Sequence, residues 1–214
     1  MYVPSHFSIE DRAAQLALIR ARPFGLLVTN GPGGLMANPA PFLLDENAGL
    51  LRAHLARPNP QWREADGARE ALVVFQDVDA YVTPDWYATK RETGKAVPTW
   101  NYSAVHVYGR LRAIEDRDWL RGFVNELTDA HETGRATPWK VDDAPADYLE
   151  VMLRGIVGIE LEITRIEGKA KLSQNRTDAD RAGVIEGLRK EGGEAGQRMA
   201  AQIVAAQAEG AGKP

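Results

Sequence analysis

No cysteine occurs among the 214 residues. That excludes disulfides, thiolate metal sites, iron–sulfur clusters and cysteine nucleophiles. It also suits a reducing compartment, and with no basic segment followed by an apolar one at the start, a cytoplasmic location is expected. No apolar run approaches the roughly 18 residues of a membrane-spanning helix, so no membrane partner is expected. Charge of one sign is not in excess: 26 Lys+Arg face 30 Asp+Glu, a formal net charge of −4, which gives no general pull toward nucleic acid. The four histidines, His6, His54, His106 and His131, lack metal-ligand spacing. Neither His-Glu-x-x-His nor Gly-x-Ser-x-Gly is present. Gly31-Pro32-Gly33-Gly34 joins two strand-like runs, not a strand and a helix, so it reads as a hairpin turn and not as a phosphate loop. No catalytic residue and no metal ligand is singled out, and hydrolase and metalloenzyme readings have little support.

What is present is an ordinary globular composition, 44% hydrophobic and 26% charged. Ser8-Ile9-Glu10-Asp11 reads as a capping box opening a short helix that stops before Pro23. Residues 24–29 predict a strand, 30–34 a turn, and 35–44 a return strand whose Pro39 and Pro41 restrict it to an edge or bulge. A third strand is expected over 49–55. Asn59-Pro60 then opens a short helix to about residue 68. Strands follow at 71–76 and 80–83, and a long polar, aromatic connection spans 83–102. Residues 105–114 alternate with period two, as a half-buried strand does. Asp116 or Asp118 opens a helix carrying Trp119, Phe123 and Leu127, and a second helix over 145–154 ends on Gly155 as a left-handed cap. Residues 155–166 predict a strong strand with Ile159, Leu161 and Ile163 inward and Glu160 and Glu162 outward; residues 169–176 are polar. Helices at 177–191 and 194–207 are separated by Gly192-Gly193, and 210–214 reads as a frayed tail. Strands joined by short turns pair antiparallel, and closing them into a small barrel removes exposed edges.

Three clusters can carry chemistry. In His54-Leu55-Ala56-Arg57-Pro58-Asn59-Pro60-Gln61-Trp62 a strand end runs through a basic residue into a helix start. Free amides, the dipole and Arg57 suit a phosphate there; an ordinary capped turn with Arg57 in solvent is equally open. The stretch 81–102 brings Trp86, Tyr87, Trp100 and Tyr102 into a polar loop with Asn101. Such rings stack on a flat ligand or an interface, or pin the loop to the barrel. Lys169-Ala170-Lys171-Leu172-Ser173-Gln174-Asn175-Arg176 offers cations and hydrogen-bonding side chains to an anion or a heterocycle edge; it reads equally as solvated charge before a helix capped by Thr177.

A further pattern is carried by longer motifs in fixed order: Met1-Tyr2-Val3-Pro4, Asn59-Pro60-Gln61-Trp62-Arg63, the run from Ala80 to Tyr87, Val97-Pro98-Thr99-Trp100-Asn101-Tyr102, Val105-His106-Val107-Tyr108-Gly109, Leu153-Arg154-Gly155-Ile156-Val157-Gly158 and Lys171-Leu172-Ser173-Gln174-Asn175-Arg176. The set resembles the PaiB-type family of FMN-binding negative transcriptional regulators over residues 1 to about 205. The resemblance implies a mainly β fold with peripheral helices, an antiparallel split β-barrel of the FMN-binding kind. It implies a barrel domain over 1–168, and over 169–214 a polar motif and helices packed on the barrel or dimer. It implies a homodimer with FMN at the interface. Its phosphate is expected at the 54–62 cluster, with Arg57 joined by Lys171 or Arg176. On this basis the cofactor-binding candidates are His54, Arg57, Asn59, Gln61, Trp62, Trp86, Tyr87, Trp100, Asn101, Lys171, Ser173, Gln174, Asn175 and Arg176. The function implied is a flavin-dependent regulator or sensor; the alternatives are an FMN-dependent oxidoreductase of the flavin reductase or oxidase kind and a haem-utilisation protein. Direct DNA binding by an acidic chain without a basic recognition helix is not expected.

Overall fold

The computed structural model of the chain describes residues 1–64 and 66–211. Among the described residues there are eight strands: β1 Ser8–Ile9, β2 Phe24–Gly31, β3 Gly34–Pro41, β4 Leu43–Asp45, β5 Leu50–Ala56, β6 Asp66–Val82, β7 Thr99–Ile114 and β8 Ile156–Lys171. Six α-helices accompany them: α1 Arg12–Ala21, α2 Ala88–Thr93, α3 Arg117–Glu132, α4 Ala146–Arg154, α5 Asp178–Glu191 and α6 Gly193–Ala211. The strands join one sheet in the order β3-β2-β6-β7-β8-β5-β4, with β1 beside β8. The resolved pairings are antiparallel throughout, so the expected mainly β, antiparallel fold with peripheral helices is observed. No helix among the described residues is long and apolar enough to cross a membrane.

The chain divides into two compact units, each drawing on β6, β7 and β8. One comprises Ile19–Phe75 and His106–Ile166. Here β2 and β3 form a hairpin in register from Phe24↔Pro41 to Gly31↔Gly34. Gly34 turns it at φ 96°, a conformation that favours glycine. The edge position of β3 explains how Pro39 and Pro41 are tolerated, since an edge strand needs amide donors on one side only. Leu27, Phe42, Leu51, Val73, Phe75, Phe123, Ile159 and Leu161 are buried here, with Phe42 edge-on to Phe75.

The other unit comprises Met1–Leu18, Gln76–Val105 and the described residues from Glu167 onward. Its core is Val82, Tyr87, Leu172, Val184, Leu188, Met199 and Ile203, with Ala80 and Ala200. Trp86 lies against α5, where a Cβ on Gly187 would stand 2.3 Å from the indole and one on Gly183 would stand 2.0 Å from the Trp86 carbonyl oxygen. Two small residues one turn apart thus let the loop before α2 reach the helix.

Several expectations are corrected. Ser8 does not cap a helix; it pairs with Lys169 in β1. Asp11 caps α1 instead, its Oδ1 accepting from the Ala13 amide at 3.1 Å. The helix expected from Asn59 to about residue 68 is a 3-10 turn, Pro60–Glu64, and β6 begins at Asp66; residue 65 lies outside the described residues. The strands expected at 71–76 and 80–83 are one strand, β6. The connection expected over 83–102 is shorter: it contains a 3-10 turn, Pro84–Trp86, and α2, and β7 already begins at Thr99, so Trp100, Asn101 and Tyr102 stand in a strand and not in a loop. Gly155 ends α4 at φ −80°, not in the left-handed region. Glu160 points into the protein, held by Arg112 at 2.7 Å and by the Trp119 indole N–H at 3.0 Å. Residues 169–171 belong to β8, which extends past the predicted end of that strand. Helix α6 runs beyond 207, and the part of the expected tail over 212–214 lies outside the described residues. Two other expectations hold: Asp116 caps α3 through Trp119, and Thr177 caps α5 through Asp180.

Candidate functional site

The predicted site residues fall into two sets. His54, Arg57, Asn59, Gln61 and Trp62 lie in the unit that contains the β2–β3 hairpin. Here the strand end and the following turn are bonded largely to themselves. The Arg57 guanidinium donates to the Arg154 carbonyl at 2.8 Å and the Ile156 carbonyl at 3.1 Å, and pairs with Glu115 at 2.6 Å. It therefore ties the end of β5 to the turn between α4 and β8. The Trp62 indole N–H donates to the Arg57 carbonyl at 2.9 Å, and the Asn59 carboxamide oxygen accepts from the Gln61 amide at 3.0 Å. Gln61 is fully buried; its Nε2 reaches the Leu27 and Met36 carbonyls and Thr29, and its Oε1 accepts from Asn38. Such a side chain pins the hairpin, because a buried carboxamide without partners is costly. His54 is edge-on to Phe123 at 5.8 Å, its Nδ1 buried without a hydrogen bond, and burial lowers its pKa.

The remaining candidates, Trp86, Tyr87, Trp100, Asn101, Lys171, Ser173, Gln174, Asn175 and Arg176, lie in the other unit. After β8 the chain turns sharply at Ser173, at φ 64°, an unusual backbone for a non-glycine residue. Several bonds hold that conformation. Buried Asn101 donates to the Ser173 hydroxyl at 2.9 Å. Gln174 accepts from the Leu172 amide at 2.7 Å and donates to the Ala170 carbonyl at 2.6 Å. Arg181, from α5, donates to the Gln174 and Arg176 carbonyls at 3.3 and 2.8 Å. The amide and hydroxyl side chains of the motif thus build the turn, while Asn175 is exposed.

The cations of the motif are arranged differently. Lys169 and Lys171, two apart on β8, project to the same face. Lys169 is 8% exposed, donates to the Tyr2 carbonyl at 3.2 Å and lies 5.2 Å from the Tyr102 ring centre. Lys171 bonds Thr99 Oγ1. Beyond the turn, the Arg176 guanidinium lies 4.5 Å above the ring of Tyr87. None of the three cations enters an ion pair with a described carboxylate. Asp180, whose charge couples to Arg176, accepts instead from Thr89 N and Oγ1 at 2.8 and 2.7 Å. Burial, then the like charges of Lys169 and Arg176, lower the Lys171 pKa against an opposing influence of Tyr102. The Tyr87 side chain is fully buried and its hydroxyl has no hydrogen-bond partner. Among the predicted aromatics, Trp86 packs on α5, whereas Trp100 is 53% exposed and edge-on to Tyr81 at 5.8 Å.

Lys169 and Tyr102 stand in the clusters read from the sequence but not among the cofactor-binding candidates, which also leave out Thr99 and Tyr2. Tyr2 has no local signal, because only the fold brings it to Lys169. Among the described residues no group of three or more His, Asp or Glu is placed to hold a metal.

FMN asks a protein for two things: cations free to meet a phosphate dianion, and polar groups and flat surfaces around its ring. Lys169, Lys171 and Arg176, with no described carboxylate paired to them, suit the first; Trp100 and Tyr81 suit the second. The antiparallel split β-barrel fold defines the class, that of the flavin-binding split-barrel proteins. Residues 1–165 match the family model described as "Putative FMN-binding domain", and the chain belongs to this family, whose cofactor is FMN. The "Protease synthase and sporulation protein PAI 2" of Bacillus subtilis is 33% identical, covering 94% of this chain and 95% of that protein. "Uncharacterized protein AN0679" of Emericella nidulans is 37% identical over 86% of this chain and 88% of its own length. Among solved structures, "Structure of the FAD and Heme binding protein from Mycobacterium smegmatis" superposes with a TM-score of 0.60 at 18% identity, over 82% of this chain and 78% of that one, a likeness of fold.

Proposed function

We propose that this FMN-binding protein acts as a flavin-dependent regulator or sensor and works as a homodimer. The flavin reading is carried by the cluster of Lys169, Lys171 and Arg176, which has no paired carboxylate. The regulatory reading is supported by the name of the Bacillus subtilis relative, which aligns along nearly its whole length. FMN supplies reversible redox chemistry when bound. The protein's part is to hold the phosphate with cations, to cover the ring with aromatic side chains and to keep water from it. With a net charge of −4, regulation runs through flavin state or a partner protein, not through direct DNA contact.

The purified protein should carry a flavin spectrum. Under anaerobic conditions dithionite should bleach it, while NADH and NADPH should leave it oxidised over the same minutes. Rapid bleaching by either nicotinamide would replace the sensor reading with that of an oxidoreductase. A salt titration by gel shift on promoter DNA tests the indirect mode: tight, sequence-selective binding at physiological salt would make the regulation direct.

A further inference from the structure

We propose that a cleft between the first turn of α5 and the C-terminal half of α6 is a second small-molecule site, and that its ligand is a small monocarboxylic acid with an apolar body. The site goes beyond the flavin reading and does not rest on it.

The cleft holds about 540 Å³, within the range of about 300 to 1,000 Å³ usual for small-ligand sites. All of its lining belongs to one of the two units. Leu172, Ile203 and Ala206 make its apolar side. Leu172 and Ile203 are also part of that unit's buried core and Ala206 packs against it, so this side is fixed before any ligand arrives. The polar side carries one charged pair, Arg181 and Asp178, three residues apart in the first turn of α5 and therefore neighbours on its surface. The bonds of the guanidinium are uneven. Its Nη1 donates to the Gln174 and Arg176 carbonyls at 3.3 and 2.8 Å, which anchors the group. Its Nη2 pairs with Asp178. Its Nε, the other arm of the same side-on fork, is buried without a hydrogen-bond partner. A fork shaped to take both oxygens of a carboxylate thus holds one, and a buried donor is left unmet. The Asp178 side chain is 92% exposed, and an ion pair so open to water contributes little. A ligand carboxylate that displaces Asp178 fills both arms of the fork, while its apolar body covers Leu172, Ile203 and Ala206. An uncharged ligand leaves the fork half filled. A polyanion finds no second cation, because Arg181 is the one cationic residue among the described residues that line the cleft.

Calorimetric titration of the full chain with octanoate and with octanamide, the same chain without the charge, tests the site. Octanoate should bind with a Kd below about 1 mM and octanamide at least about tenfold more weakly, the size expected of a charge-assisted hydrogen bond. Arg181→Gln should erase that preference. Asp178→Asn, which removes the competing carboxylate, should tighten octanoate binding by about two- to fivefold. Ala206→Trp fills the cleft from a half-buried position and should abolish binding of both compounds. Because Arg181 also supports the turn after β8, thermal melts establish that its variant is folded; Ala206→Trp tests the same cleft with the charged pair intact. Octanoate should still bind when FMN is saturating. Absence of octanoate binding, equal affinities for octanoate and octanamide, weaker binding in Asp178→Asn or unchanged binding in Ala206→Trp overturns the proposal. Displacement of octanoate by FMN overturns it as a second site. A parent protein that binds octanoate but no flavin upholds the cleft and removes the FMN reading, so the two fail separately.

Discussion

His54 shows how a single side chain couples this fold to pH. Its ring packs against Phe123, its Nδ1 is buried without a partner, and burial lowers its pKa from 6.5. The folded protein therefore keeps the imidazole neutral where the unfolded chain already binds a proton. Between the lowered value and 6.5 the unfolded state holds more protons, so stability rises with pH across that window. The contribution is fully present above about pH 7 and is lost as the pH falls from about 6.5 toward the folded value. Urea denaturation midpoints measured at mildly acidic and neutral pH should show this loss in the parent protein and a flatter profile in His54→Gln. Equal slopes for the two proteins would remove His54 as the cause.

At the scale of elements, the contact between the loop before α2 and helix α5 sets the local architecture of its unit. Thr89 is bonded twice to buried Asp180, and Trp86 occupies space that side chains at 183 and 187 would fill. Gly187→Ala would put a methyl group 2.3 Å from indole carbons, so the helix or the ring has to move. Overpacking of this kind typically costs about 1–3 kcal/mol. The variant should melt at a lower temperature, with a changed tryptophan emission spectrum. Gly122, whose added Cβ meets nothing within 4 Å, serves as the control, and Gly122→Ala should match or exceed the parent's stability. Comparable melting of the two variants would show that the indole yields freely.

At the scale of the whole molecule, an apolar sheet face bears on the proposed homodimer. Phe24, Leu26 and Val28 of β2 share a face with their register partners Pro41, Pro39 and Ala37 of β3. Phe24 is 66% exposed, and Leu35, opposite Asn30, is 78% exposed. The opposite face of the hairpin, with Leu27 and Ala40, is buried in the core, so this hairpin is apolar on both sides. Exposed apolar residues gathered on one face commonly mark an interface, and a two-fold axis through it would let each copy of a dimer cover the other's. Light scattering should report a dimer at micromolar concentration. Leu35→Glu combined with Phe24→Asp should shift it to monomer with unchanged circular dichroism. A parent monomer, or a dimer unmoved by the double substitution, would exclude this face as the interface.

Much of the architecture is a local matter and was readable from residues alone. Period two over 105–114, the prolines of β3, the turn at Gly34, and the caps at Asp116 and Thr177 each follow from the chemistry of a few neighbours. The boundaries that failed did so where distant partners overrode local preference. Ser8 has a good capping side chain, yet strand pairing with Lys169 takes it. Glu160 alternates outward by pattern, yet Arg112 and Trp119 make its burial tolerable. Strand β6 was split in prediction at 77–79 and the end of β8 was set at 166, because polar residues there look like turns or loops until the sheet partners are known. For the candidate site, the polar run 169–176 and its cationic character were legible in the residues themselves. Contacts made across the fold settle that its amides build a turn, that Lys169, Lys171 and Arg176 pair with no described carboxylate, and that Arg57 is tied to Glu115. Residue types set which bonds a side chain can make; which of them it makes depends on neighbours far away in the chain, such as Ser8 beside Lys169 and Asn101 beside Ser173, placed only when the strands pair.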